Sequence, residues 1–190
     1  MGKPGTAVPG DRVLEARVPF RDGTVADVRS NTDVLTKFVH SDRMAHRYPN
    51  ILIHCVFSTK ERRDLIPPEM LPTLSKYFAG IGRNHGMPVL AAGGISNHSH
   101  LLIALPPDMS VAKAVQVLKA NSSRWLREHG LDFAWQEGYG AFSVSSSNKD
   151  AVTGYIEHQA EHHQKRSYEG EFEAMLRKSG IAFDSKDAFG

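Results

Sequence analysis

Two histidines one residue apart, His98 and His100, open the apolar run "HSHLLIAL". In a strand, side chains alternate faces, so both imidazoles project to one side and Ser99 to the other. Two imidazoles on one face are a ready pair of metal ligands, although the same spacing also serves hydrogen-bonded or solvent-facing histidines. A second group lies in "GYIEHQAEHHQKR". At about 100° per residue, a helix there brings Tyr155, Gln159, His162 and Arg166 within an arc of about 60°. Read alone, that face is an ordinary solvated one with a tyrosine on it.

Read beside the histidine pair, it suits phosphodiester cleavage. A divalent cation held by two imidazoles and the Gln159 carbonyl oxygen would polarise a phosphoryl oxygen and offset charge developing in the transition state. A tyrosine phenol, with an ordinary pKa of about 10, attacks poorly until a cation or base helps it ionise. Attack by Tyr155 on phosphorus would join DNA to the tyrosine and free a hydroxyl end. The phosphotyrosine link keeps the energy of the broken diester, so the strand can be rejoined without a nucleotide cofactor.

These residues need elements to hold them. Residues 50–57, "NILIHCVF", are rich in β-branched and aromatic types and predict a strand. In "EMLPTLSKYFAGIGRNHG", Met70, Leu71, Leu74, Tyr77, Phe78 and Ile81 recur at helical spacing before Gly86. "MPVLAAGGI" and "HSHLLIALP" predict a hairpin turning at Ser96 and Asn97. A helix from the cap Ser110 to Gly130 follows, then a strand in "GYGAFSVS". "NKDAVTGYIEHQAEHHQKR" predicts one helix capped by Asn148, and "YEGEFEAMLRKSG" a last one. Within the tyrosine helix, Gly154 reads either as a hinge or as a point of close packing. The order β-α-β-β-α-β-α gives an α+β fold of ferredoxin-like character: an antiparallel or mixed sheet with helices packed mainly on one face.

Residues 1–46 carry Gly2, Pro4, Gly5, Pro9 and Gly10 and no sustained period, so they predict a poorly ordered extension that the fold does not need. Residues 47–181 form the expected catalytic domain and 182–190 a tail. With 41% hydrophobic and 23% charged residues, the 190-residue composition is that of a soluble globular protein. No apolar run is long enough for a membrane span, and the expected location is the cytoplasm. The single cysteine, Cys55, excludes an intramolecular disulfide framework and any multi-cysteine zinc site. Inside "ILIHCVF" it reads as a buried, inert thiol.

"NHSHLLI", then "WQEGYGAFSVS", then "YIEHQAEHH" resemble, in that order, the single-tyrosine HUH transposases of bacterial insertion sequences and the related REP-associated tyrosine transposases. The likeness runs from Tyr48 to Ile181. It implies that His98 and His100 are the metal-binding pair, Gln159 the third ligand and Tyr155 the nucleophile. It further implies magnesium or manganese as cofactor and single-stranded DNA with hairpins as partner. A homodimer is implied too, in which one subunit's tyrosine helix can complete the other's site. Ser99 departs from the family, which usually has a bulky apolar residue there; facing away from the metal, it bears on packing first.

Formal net charge is only +2, so the distribution of cations matters more than their sum. Lys60, Arg62, Arg63, Lys119, Arg124, His162 and Arg166 are the expected contacts to the DNA backbone, weighed against a reading as solvated faces. Trp125, Trp135, Tyr139 and Phe142 are candidates to stack on unpaired bases. Of these, Trp125 and Phe142 are expected in the core and Trp135 in a more open place. Two rival functions remain at this point. One is a hairpin-binding protein without turnover; the other is an unrelated metal hydrolase built on His98, His100 and His162.

Overall fold

The computed structural model describes residues 49–163 and 167–184. The expected extension over residues 1–46, Arg166 and the tail beyond residue 184 lie outside the described residues. Strand β1 (Leu52–Ser58) is buried along its whole length because both its faces are covered. Ile53, Cys55 and Phe57 point into one core, and Leu52, His54 and Val56 to the opposite side. That double burial is why its sequence reads as a nearly unbroken apolar run.

Helix α1 (Leu71–Asn84) leads to the hairpin β2 (Val89–Ile95) and β3 (His98–Ala104), which turns at Ser96 and Asn97 as the sequence predicts. Helix α2 (Val111–Glu128) starts at Ser110, whose hydroxyl accepts a hydrogen bond from the Lys113 amide at 3.2 Å. Strand β4 (Gly140–Val144) completes a sheet of order β2-β3-β1-β4 in which every pairing is antiparallel. β1 and β2 therefore run the same way with β3 between them, and β3 and β4 do so about β1. This is the split β-α-β arrangement of an α+β, ferredoxin-like fold.

The two long helices share one face of the sheet, over a core that includes Phe57, Leu74, Phe78, Leu118 and Leu126. Burying each such side chain contributes about 1.5–3 kcal/mol. Three shorter segments cover the other face: α3 (Lys149–Glu157), α4 (Gln159–His162) and α5 (Tyr168–Lys178). Ile156 of α3 packs on Leu52 and Leu102, while Tyr168, Phe172 and Leu176 of α5 pack on Val56 and Phe142. Gly93 of β2 lets α3 come this close, because a Cβ there would overlap the Ile156 carbonyl.

The helix predicted from Asn148 through Arg166 is broken within its described part. It stops at His158 (φ −103°, ψ 26°), whose Nδ1–H donates to the Gly154 carbonyl at 2.7 Å. A Cβ at Gly154 would meet nothing within 4 Å, so close packing is not what Gly154 provides. Gly154→Ala is expected to stabilise the protein by about 0.5–1 kcal/mol through helix propensity, read as a higher thermal midpoint. A lower midpoint would contradict it.

Cys55 is wholly buried, and burial pushes its thiol up to about 12, consistent with an inert core residue. Trp125 and Phe142 are buried as expected. Trp135 is not open but 9% exposed, because its indole N–H finds Ser122 Oγ at 2.9 Å and its ring packs edge-on against Phe57. Ser99 is buried opposite Gly94 and Phe57, directed away from the histidines as the strand alternation requires.

Candidate metal centre and tyrosine

β3 places His98 and His100 on the face covered by α3 to α5, both fully buried. The break at His158 turns Gln159 inward to 1% exposure. Its amide Nε2 donates to Glu171 Oε1 at 3.2 Å and to the Tyr155 carbonyl at 3.4 Å. The next turn delivers His163, and the first turn of α5 delivers Glu171. Glu171 Oε2 lies 2.9 Å from His163 Nε2, 3.4 Å from His100 Nε2 and 3.8 Å from His98 Nε2. One ligand atom from each of these four residues lies within 4.8 Å of all the others.

Second contacts fix how the rings present themselves. His98 Nδ1 lies 2.7 Å from Asn97 Oδ1, an atom that only accepts, so Nδ1 carries the proton and the neutral ring offers its Nε2 lone pair. His100 Nδ1 pairs with Nε2 of His54, a buried residue of β1, at 3.0 Å. With the proton on His100 Nδ1, Nε2 of that ring is likewise the ligating atom. His98 Nε2, His100 Nε2, Gln159 Oε1 and Glu171 Oε2 are buried and make no hydrogen bond. Leaving such atoms unsatisfied costs about 1–3 kcal/mol each, and a cation within the group of His98, His100, His163 and Glu171 would satisfy the two imidazole nitrogens and the carboxylate oxygen at once.

The electrostatics agree. Burial, then the neighbouring imidazoles, hold His98 down to about 2, against a smaller opposing contribution from the Gln159 amide. Burial, then His163, holds His100 to about 3, and burial, then His100, holds His54 to about 3. All three are therefore neutral, the form that binds metal. Burial raises the Glu171 carboxyl to about 7.

Without a cation these shifts set an acid sensitivity. Below pH 6.5 the unfolded chain takes up protons on three histidines that the fold keeps neutral, so their contribution is complete above 6.5 and lost as pH falls towards 3. Glu171 runs the other way, its contribution complete below about 4.5 and lost as pH rises through 7. Three groups outweigh one, so stability should drop by about 2 kcal/mol per pH unit just below 6.5. Urea unfolding of chelator-treated protein at pH 7.5 and 5.5 checks this; an equal or higher midpoint at 5.5 would contradict it.

Tyr155 stands at the rim of the cluster. Its ring centroid is 5.9 Å from that of His100, 6.1 Å from His54 and 4.9 Å from His162, which is exposed and lies against it. The third imidazole of the cluster is thus His163, and His162 belongs to the tyrosine.

The expected DNA contacts divide. Lys60, Arg62 and Arg63 lie on the turn after β1, next to the end of β3 that carries His98. There Arg62 pairs with Glu169 at 3.3 Å and Arg63 with Glu61 at 3.6 Å. Lys119 is held by the carbonyls of Gln136 and Gly138 at 2.5 and 2.8 Å. Arg124 sits on α2, across the sheet from the histidines, beside Glu128 and Asn121. The structure brings neither Lys119 nor Arg124 to the cluster. His54, His163 and Glu171 join the site without having been singled out as site residues from the sequence.

Fold and site together define a class: a small α+β domain with a buried cluster of three histidines and a glutamate that could hold a metal ion, and a tyrosine beside it. Residues 47–159 match the family model described as "Transposase IS200 like", and the chain belongs to that family. Over 126 residues it is 29% identical to the transposase for insertion sequence element IS200 of Salmonella typhimurium, covering 62% of this chain and 82% of that protein. The Salmonella typhi transposase for the same element matches equally. Among solved structures, one assigned as a transposase of Deinococcus radiodurans superposes with a TM-score of 0.50 at 20% identity, over 63% of this chain and 98% of that one. A REP-associated tyrosine transposase bound to a REP hairpin gives a TM-score of 0.47 at 14% identity, over 65% and 74%. No helix among the described residues is long and apolar enough to cross a membrane.

Proposed function

We propose that this transposase, through a catalytic unit spanning residues 47–181, cuts and rejoins single-stranded DNA at hairpin-bearing element ends through a 5′-phosphotyrosine at Tyr155. The observation that carries this reading is the set of four buried ligand atoms without hydrogen bonds, beside a tyrosine 5.9 Å from His100. His98, His100 and Gln159 would hold a divalent cation, with Glu171 and His163 as further donors. That cation supplies polarisation of the phosphoryl oxygen and charge compensation. Three imidazoles among the donors favour manganese over magnesium, which prefers oxygen ligands.

In the cleavage step, the Tyr155 oxygen bonds to phosphorus and the bond to the 3′ oxygen breaks. The leaving oxygen takes up a proton and becomes a free 3′-hydroxyl. Rejoining is the reverse attack by a 3′-hydroxyl, which returns the phenol. Of the three imidazoles around Tyr155, His54 and His100 are tied to each other, which leaves His162 to take the phenolic proton. Lys60, Arg62 and Arg63, on the turn after β1, would hold the DNA backbone, with Arg166 a further candidate. The family resemblance carries the expectation of a homodimer. The ring contacts within one chain support a tyrosine acting beside its own histidines.

The test is cleavage of an end-labelled pool of single-stranded hairpin oligonucleotides with manganese. The expected result is a product with a polymerase-extendable 3′-hydroxyl, abolished by chelator. Hairpin binding without cleavage under all cation conditions would favour the binding-only alternative. Cleavage that leaves 3′-phosphate ends would overturn the tyrosine mechanism.

A further inference from the structure

A cavity of about 670 Å³ opens beside the cation centre, within the size range of small-molecule and nucleotide sites. Tyr168 is the shared wall: it lines the cavity, and its ring lies 4.9 Å from that of His98. The other aromatic surfaces are Phe57, Tyr139, Phe172 and Phe183, with Gln136 among the polar lining groups. Tyr139 is 42% exposed, one of three large hydrophobic residues left open to solvent among those described.

The walls are tied in place. The turn after β1 carries two successive non-glycine residues in the left-handed region, Glu61 (φ 59°) and Arg62 (φ 55°). Such a backbone persists only where its surroundings hold it. The Lys60 amide donates to the Ala134 carbonyl at 2.9 Å, the Glu61 amide to Gln136 Oε1 at 2.9 Å, and the Gln136 amide to the Ser58 carbonyl at 2.9 Å. Lys119 clamps the same loop through Gln136 and Gly138. This is the structural use of a lysine that sequence alone would assign to DNA.

We infer that this cavity is a subsite for one unpaired nucleobase of the DNA strand, next to the phosphate attacked by Tyr155, with the base stacked on Tyr139. The inference rests on the single-stranded DNA reading above and extends it to a named pocket. Aromatic faces accept any base, polar wall atoms meet its edge, and preformed walls avoid an ordering cost on binding. Tyr168 joins the two places, lining the cavity while its ring lies 4.9 Å from that of His98, so a strand held at the cluster would pass beside it.

The experiment compares binding of fluorescein-labelled dT12 and a fully abasic 12-mer with the same phosphates, by anisotropy, to the full chain and to Tyr139→Ala and Tyr139→Phe. Wild type should prefer dT12. Tyr139→Ala should weaken dT12 by about tenfold with little effect on the abasic strand, and Tyr139→Phe should bind as wild type does. Equal weakening of both strands, or none, would overturn the inference while leaving DNA binding intact. Binding of neither strand by wild type would instead remove the single-stranded DNA reading, and the inference with it.

Discussion

Tyr155→Phe should lose strand cleavage by about 10⁴-fold or more, because it removes the oxygen that forms the covalent bond and nothing else nearby can replace it. The ring keeps its contacts with His54, His100 and His162, so thermal stability and cation binding should stay close to wild type. Single-turnover cleavage on a sequencing gel, beside melting curves with and without manganese, separates the two effects. A variant that still cleaves within tenfold of wild type would mean that water or another side chain is the nucleophile.

Glu171→Gln tests the other half of the site. In the wild type, a carboxylate is buried among three imidazoles, and burial already works against its ionisation. Glutamine keeps the shape and removes the charge, so at pH 8 the cation-free variant should be as stable as wild type or more so. Its cation affinity should fall by about 100-fold or more, since a direct donor is lost rather than an outer one. A cation at about 1,000 times its dissociation constant stabilises by about 4 kcal/mol, and that increment should largely vanish in Glu171→Gln. Manganese titration followed by melting reads both numbers. An unchanged manganese shift would show that Glu171 is not a ligand and that other donors hold the centre.

What the sequence could and could not reveal follows from the range of the interactions. The period-2 alternation of a strand is local, so His98 and His100 could be placed on one face, and Ser99 on the other, with no knowledge of the fold. Tyr155 and Gln159 are sequence-level candidates because they sit four residues apart on one segment, although that segment breaks at His158 and Gln159 is buried beyond it. His163 and Glu171 were not legible as partners. Their meeting depends on where the chain goes between α4 and α5, and Glu171 by itself looks like any acid in the first turn of a helix.

His54 left a fainter signal: an imidazole inside an apolar strand, on the same side as Leu52 and Val56. Only the pairing of β1 with β3 reveals that this side is also that of His100. The pattern of elements predicts an antiparallel or mixed sheet with helices mainly on one face; the sheet is wholly antiparallel, and helices cover both faces. The short helices carry too few residues for periodicity to say which side they cover. The burial of Trp135 is illegible in the sequence for a related reason. It lies outside regular structure, and its burial comes from an isolated bridge to Thr59 and a hydrogen bond to Ser122, both distant in sequence.

The most direct test of the whole account is to incubate the protein with labelled single-stranded hairpin DNA and manganese, denature it, and look for label migrating with the chain. The site predicts a covalent adduct in the wild type, absent from Tyr155→Phe, with the nucleotide mapped by mass spectrometry to the peptide containing Tyr155. Label bound to another residue, or an adduct that survives Tyr155→Phe, would contradict it.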